Sequence, residues 1–254
     1  MGRRFESKVA LVTGGTSGLG RDAAVAFARE GAKVVVTGRR IREGQETVEL
    51  AKAAGGEATF VQADMSNPGE IEALFSTCVK TYGGLDFAFN NAGIDGIINT
   101  PIVDYKLEIW NQVMAVNLTA MFLCMKYEIA EMLKRGGGSI VNMGALASVK
   151  TSTVVGAAYI ATKHAIVGLT KTGAIEYAGQ GIRANVICPA MMRTPLSDKM
   201  LSTEEGRARV LSMHPIGRIG EPEEVSNLVL WLCSQEAGFI TGAVIPIDGG
   251  FLLK

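Results

Sequence analysis

Short runs of β-branched and apolar residues recur along this chain, and a longer stretch of helical periodicity separates most of them. The runs are "KVALVT" (8–13), "KVVVT" (33–37), "ATFVQ" (58–62), "LDFAFN" (85–90), "SIVNM" (139–143), "RANVIC" (183–188) and "AVIPI" (243–247). Helical patterns cover about Leu19 to Glu30, then 41–54, 69–82, 105–134, about 157–178 and 222–233. Strands that read as near-continuous apolar runs are buried on both faces, as parallel strands are. The alternation therefore predicts an α/β fold: a doubly wound parallel sheet with helices on both faces, joined by right-handed crossovers. No linker, repeat or low-complexity tract divides the 254 residues, which predicts one domain over 1–254. The segment 190–221 breaks the rhythm. Following the sixth strand, it lies at the carboxyl edge of the sheet, where open α/β folds bind ligands. It is expected to be a mobile substrate lid, with a helical surface excursion as the alternative.

Lys+Arg and Asp+Glu both total 25, so no basic surplus points to nucleic acid or an anionic membrane surface. The four cysteines, at 78, 124, 188 and 233, form no C-x-x-C pair and no metal spacing with the two histidines. Reduced, buried thiols in a cytoplasmic protein are expected, with no metal. The N-terminal "MGRRFESKVALV" lacks a signal-peptide core, and Glu6 stands where a myristoylation signal wants Ser or Thr. No uninterrupted apolar stretch reaches membrane-spanning length, so no membrane association is expected.

"VTGGTSGLG" (12–20) comes straight off the first strand and opens a helix. Gly14, Gly18 and Gly20 permit a tight turn. Together with Thr16, Ser17 and Leu19 they form a loop whose N–H groups can approach a pyrophosphate at the positive helix end. The end of the second strand then selects the cofactor: a carboxylate there holds ribose hydroxyls, a basic residue a 2′-phosphate. This chain has Gly38 in place of the acid, followed by Arg39 and Arg40. Arginine offers a planar fork matched to phosphate. NADP(H) is therefore preferred, with NAD(H) as the remaining option. Nucleic-acid binding has only these two arginines behind it and is set aside.

With further blocks "NNAG" (90–93), "VNLTAMF" around Asn117, "YIATK" (159–163), "CPAMMRTP" (188–195) and "IPIDGG" (245–250), the whole chain resembles the short-chain dehydrogenase/reductase family. The resemblance implies a seven-stranded Rossmann sheet and an NAD(P)-dependent alcohol or carbonyl oxidoreductase, usually a tetramer. It implies that Asp64 and Met65 flank the adenine, that Asn91, Ala92 and Gly93 line the cofactor groove, and that Thr194 binds the nicotinamide carboxamide. Pro189 and Met192 belong to the same cofactor block. Ala190 stands where the family prefers glycine, a departure that matters only if its φ is positive.

Tyr159 and Lys163 stand four apart, stacked on one helix face. Hydride transfer to a ketone leaves charge on oxygen, so a proton must arrive with it. Tyrosine can supply one if a nearby ammonium pulls its pKa down from about 10. Lys163 is expected to do this and, as the family implies, to hold the nicotinamide ribose, with Asn117 anchoring a water that links the lysine to solvent. The family's third group is a serine about 13 residues before the tyrosine. Here "IVNMGALAS" puts Gly144 in the small position and Ala145 at the serine. Either Ser148 substitutes for it, or the chain lacks one oxyanion donor. The register favours the loss, with weakened catalysis and intact cofactor binding. A non-catalytic NADP(H)-binding sensor or assembly protein is the other reading.

Candidate substrate contacts are Ile94, Asp95 and Gly96, the serine-position loop from Ala147 to Thr153, and Met191, Met192, Leu196 and Met200 in the lid. Methionines make an adaptable apolar surface, which points to a hydrophobic ketone or alcohol. Helices 105–134 and 157–178 carry more apolar surface than one sheet face buries, and a homotetramer is expected.

Overall fold

In the computed structural model, which describes residues 3–194, 197–198 and 201–254, seven parallel strands form one sheet in the order β3-β2-β1-β4-β5-β6-β7. The strands are β1 (Val9–Thr13), β2 (Lys33–Gly38), β3 (Glu57–Gln62), β4 (Phe87–Asn90), β5 (Gly138–Met143), β6 (Ile182–Pro189) and β7 (Val244–Ile247). The helices are α1 (Gly18–Arg29), α2 (Ile41–Ala53), α3 (Pro68–Tyr82), α4 (Leu107–Met114), α5 (Ala120–Lys134), α6 (Ala157–Tyr177), α7 (Glu204–Met213) and α8 (Pro222–Cys233).

Successive strand side chains point to opposite faces, so each strand feeds two cores. Ala10, Val12, Val34 and Val36 pack with Phe27 of α1 and Val229 of α8. Val9, Leu11 and Val35 pack with Ile71 and Leu74 of α3 and Ile129 of α5. The strand order reverses between β1 and β4, where Thr13 pairs with Asn90. That reversal opens a crevice at the carboxyl ends of the strands, the place where such sheets bind ligands.

Three elements differ from the sequence expectation. The fourth strand starts at Phe87 rather than at 85, because buried Asp86 is taken up in accepting a hydrogen bond from Val9 N at 2.9 Å and pairing with Arg135 at 3.0 Å. The helical stretch 105–134 begins at Leu107 and is interrupted by a π turn, Ala115–Thr119. The segment 190–221 contains α7, and its ends are stitched together by a bridge between Met192 and Gly220. By length and composition Leu107–Lys134 is apolar enough to cross a membrane. In this fold Met121, Met125, Ile129 and Met132 turn its apolar side into the core. All four cysteines are buried and unpaired.

Candidate active site

The glycine loop sits at the head of the crevice. Gly14 has φ of +65°, a conformation that disfavours side chains, and a Cβ at Gly20 would lie 2.6 Å from Asn91 Nδ2. Asn91 itself closes the loop from the β4 side, donating from Nδ2 to the carbonyls of Thr13 (3.1 Å) and Gly14 (3.2 Å). Ser17 precedes the helix without capping it, so the first N–H groups of α1 point toward the crevice with no side-chain partner. Thr194 lies across the loop, its Cγ2 3.6 Å from where a Cβ of Gly18 would be. This cradle fits a dinucleotide pyrophosphate.

At the end of β2, Arg40 Nη2 donates to Thr16 Oγ1 at 3.0 Å and to Ser17 Oγ at 2.7 Å. A Cβ at Gly38 would meet Thr16 Cγ2 at 2.7 Å, so the threonine methyl fills the space an acid at 38 would need. Arg39 is exposed; its carbonyl accepts from Gln62 Nε2 at 3.1 Å, and its charge acts on Asp64. Asp64 accepts from Ser66 N and Oγ, both at 2.8 Å, which holds its carboxyl below the usual range. Met65, expected beside the adenine, is buried against the core between β1 and α3.

The sequence reading missed what supports this loop from behind. Arg21, on α1, donates from Nη2 to Thr16 O (2.7 Å) and Glu43 O (3.0 Å), and from Nε to Thr47 Oγ1 (3.0 Å). Thr47 in turn donates to Gly15 O at 2.9 Å. A polar Arg and Thr on the inner side of two amphipathic helices were the available signal.

The tyrosine–lysine pair stands near the start of α6. Lys163 Nζ lies 5.5 Å from the Tyr159 ring centroid and donates to Met143 O at 2.7 Å. Asn117 falls in the π turn, which rotates its side chain onto the chain following NNAG. It donates to Ile94 O at 2.9 Å, and its Oδ1 accepts from Ile94 N at 2.8 Å. A π turn inside an α-helix is a common device for presenting one side chain. A Cβ at Gly93 would lie 3.3 Å from Asn117 Oδ1 and 3.9 Å from Lys163 Nζ, so NNAG and the pair meet at one point.

The electrostatics correct one expectation. Burial holds the Tyr159 phenol above its ordinary value, reinforced by the Asp95 carboxylate. Burial likewise brings Lys163 down to about 8. The Lys163 charge, directed at Met143 O, does not outweigh desolvation of the phenol.

Ala145 follows β5 in extended conformation and opens a short turn, Leu146–Ser148. Ser148 is buried; its Oγ accepts from Ala145 N at 3.1 Å and lies within hydrogen-bonding reach of Cys188. Its hydroxyl is thus committed beneath the turn.

The substrate candidates separate. Ile94 is fixed by Asn117, Asp95 is exposed beside it, and Met191 is half-buried at the base of the 190–221 segment. Ala147 is buried within the turn, which argues against a substrate contact, while Thr153 is exposed. Met192 is buried in the core as well as bordering the site. Leu196 and Met200 lie outside the described residues. Pro189 ends β6, and Ala190 donates from its N to Ile247 O at 3.0 Å. Among the described residues only Ser7 and Asn99 combine a side chain with positive φ, so alanine at 190 carries no strain.

Residues 14–252 match the family model described as enoyl-(acyl carrier protein) reductase. The chain is 40% identical over 255 residues to the cyclohexanol dehydrogenase of Acinetobacter sp. (strain SE19), covering 100% of this chain and 98% of that protein. It is 39% identical over 249 residues to a 2,5-dichloro-2,5-cyclohexadiene-1,4-diol dehydrogenase of Sphingobium indicum, covering 97% of this chain and 98% of that one. The structure of a short-chain type dehydrogenase/reductase from Mycobacterium ulcerans superposes with a TM-score of 0.94 at 30% identity, covering 98% of this chain and 91% of the other. A loop built for a dinucleotide, a tyrosine–lysine pair beside it and relatives that are alcohol and diol dehydrogenases lead to one assignment: the chain is a dehydrogenase of the short-chain dehydrogenase/reductase family.

Proposed function

We propose that this protein is an NADP(H)-dependent oxidoreductase interconverting a secondary alcohol and a ketone, slowed by alanine at position 145. The meeting of Tyr159, Lys163 and Asn117 beside the glycine loop carries the reading. NADP(H), when bound, supplies or accepts the hydride. Gly14, Thr16, Ser17, Gly18, Leu19 and Gly20 would hold its pyrophosphate, and Thr194 its carboxamide. Asp64, Asn91, Ala92 and Gly93 would line the rest of the groove. Tyr159 would pass the proton to or from the substrate oxygen, and Lys163 would hold the ribose.

Arg40 supports the 2′-phosphate: it is fixed over the loop hydroxyls by its contacts to Thr16 and Ser17, with Arg39 on the Asp64 side. An arginine–phosphate contact contributes roughly 1.5–3 kcal/mol, which corresponds to about one to two orders of magnitude in affinity. Titration should therefore give tighter binding of NADPH than of NADH, and Arg40→Ala or Arg39→Ala should weaken NADPH far more than NADH. Equal losses for both cofactors would refute the phosphate contact.

Relatives acting on cyclohexanol and a cyclohexadienediol, with Ile94 and Met191 at the site, support a hydrophobic, alicyclic alcohol as substrate. The same reading makes the protein a cytoplasmic homotetramer. Ala145 favours a second reading, an NADP(H) sensor or assembly protein with no turnover of its own. Restored turnover in Ala145→Ser separates the two.

A further inference from the structure

The segment after β7 touches both sides of the substrate end of the crevice. Asp248 shapes it, accepting from Gly250 N and Leu252 N, both at 3.0 Å, to set a short turn over Phe251–Leu253. On one side the Phe251 ring lies 5.2 Å from Nζ of Lys150, just beyond the turn that begins after Ala145. On the other side the same ring meets the His214 ring at 5.7 Å, tilted by 60°. Lys254 adds a second strut, donating from Nζ to Ser212 O at 2.7 Å, and Ile216 N donates to Gly249 O at 3.1 Å. Ser212, His214 and Ile216 span the end of α7.

The underside of this arm is not close-packed. A partly open cavity of about 50 Å³ lies among Met191, His214, Ile216 and Ile247, with the ion-paired Arg218 and Glu224 also in its wall. A void supplies no dispersion contacts to hold the arm in place. His214 is buried, with Nδ1 engaged by Val210 O of its own helix at 2.7 Å and Nε2 without a partner. Its outward tie is the ring of Phe251.

We infer that Phe251 is a positioning residue for the substrate: wedged between Lys150 and His214, it sets the spacing between the loop after β5 and the α7 arm, and with it the width of the substrate crevice. The kinetic part of this inference rests on the alcohol oxidoreductase reading. Lys163 is held by Met143 and Asn117 by Ile94, neither of them part of this wedge, so the groups around Tyr159 keep their own supports. The arm bears the apolar cluster of Leu201, Val210 and Ile219 with Met191 packed against it. Loosening the arm therefore costs substrate contact rather than chemistry.

The test compares Phe251→Ala, Phe251→Tyr and Lys150→Met, the last keeping the aliphatic stem and losing only the charge over the ring. KM and kcat are measured for cyclohexanol in an Ala145→Ser background, with hydrogen exchange of peptides over 210–217 measured in the parent chain. Phe251→Ala is expected to raise KM about tenfold with kcat within about twofold, and to speed exchange in that peptide, whereas Phe251→Tyr restores both. Lys150→Met should move KM in the same direction by a smaller factor and answers the question if Phe251→Ala does not fold. Unchanged KM together with unchanged exchange would overturn the inference, as would a loss confined to kcat. If no form turns over alcohol, the oxidoreductase reading has failed, and the exchange measurement alone decides whether Phe251 holds the arm.

Discussion

At the level of single residues, the proposed reaction has the phenol of Tyr159 carry the proton and set the pH response. Burial holds it above its ordinary value, so the protonated form is favoured at neutral pH. Ketone reduction, which needs a proton on the phenol, should stay level from acid to neutral pH and fall only in the alkaline range. Alcohol oxidation, which needs the phenol to accept one, should accelerate as pH rises. Rate profiles in both directions check this; an oxidation rate that falls between about pH 7 and pH 9 would contradict the proton role. Tyr159→Phe should abolish both directions while leaving cofactor binding in place. Asn117 acts on the same centre through Ile94, bonded to both its backbone N and O. Asn117→Ala removes both bonds and leaves the backbone beside Gly93 unheld, so it should lower kcat more than cofactor affinity.

Among the elements, the pairing of β4, β5 and α5 hides a carboxyl with no role in the proposed chemistry. Glu128 of α5 is fully buried; its Oε2 accepts from Asn90 Nδ2 at 2.9 Å, and its Oε1 has no partner. Desolvation raises it from the usual 4.5 to about 8. The folded chain therefore keeps this proton where the unfolded chain releases it. Stability associated with the group is full below its unfolded value and falls as pH rises through its folded value. Glu128→Gln keeps the shape and removes the ionisation, so its melting temperature should gain on the parent from about pH 5 to about pH 9. A difference that does not change with pH would refute the assignment.

Much at this scale was legible in advance, because parallel strands buried on both faces announce themselves as apolar runs, and the bounds of α2 and α8 follow their periodicity closely. The π turn at Ala115–Thr119 was not legible, since one extra residue per turn leaves the apolar pattern of 105–134 intact. The short β4 was not legible either: "LDF" looks strand-like, and only the fold shows Asp86 paired with Arg135. The glycine loop, the tyrosine–lysine pair and the absence of an acid at 38 were readable from local spacing. The ties of Arg21 and Phe251 join residues distant in sequence and required the structure.

For the whole molecule, two questions follow: how many chains assemble, and whether the assembly turns over substrate. Phe122 is 50% exposed and Ile175 81% exposed, on α5 and α6. Apolar groups on two neighbouring helices of one face suit packing across a two-fold axis. Light scattering should give the mass of a tetramer at micromolar concentration, and Ile175→Asp should reduce it; a monomeric parent would contradict the assembly. The central claim is that the remainder of a working dehydrogenase surrounds Ala145. Its most direct test is kcat for NADP⁺-linked oxidation of cyclohexanol by the parent chain and by Ala145→Ser. One restored oxyanion donor should raise kcat by roughly 10²-fold or more, with NADPH affinity unchanged, because the hydroxyl acts on charge that develops in the transition state. An Ala145 chain that already turns over at an ordinary rate of about 10 s⁻¹, or an Ala145→Ser chain that binds NADPH yet never turns over, would contradict it.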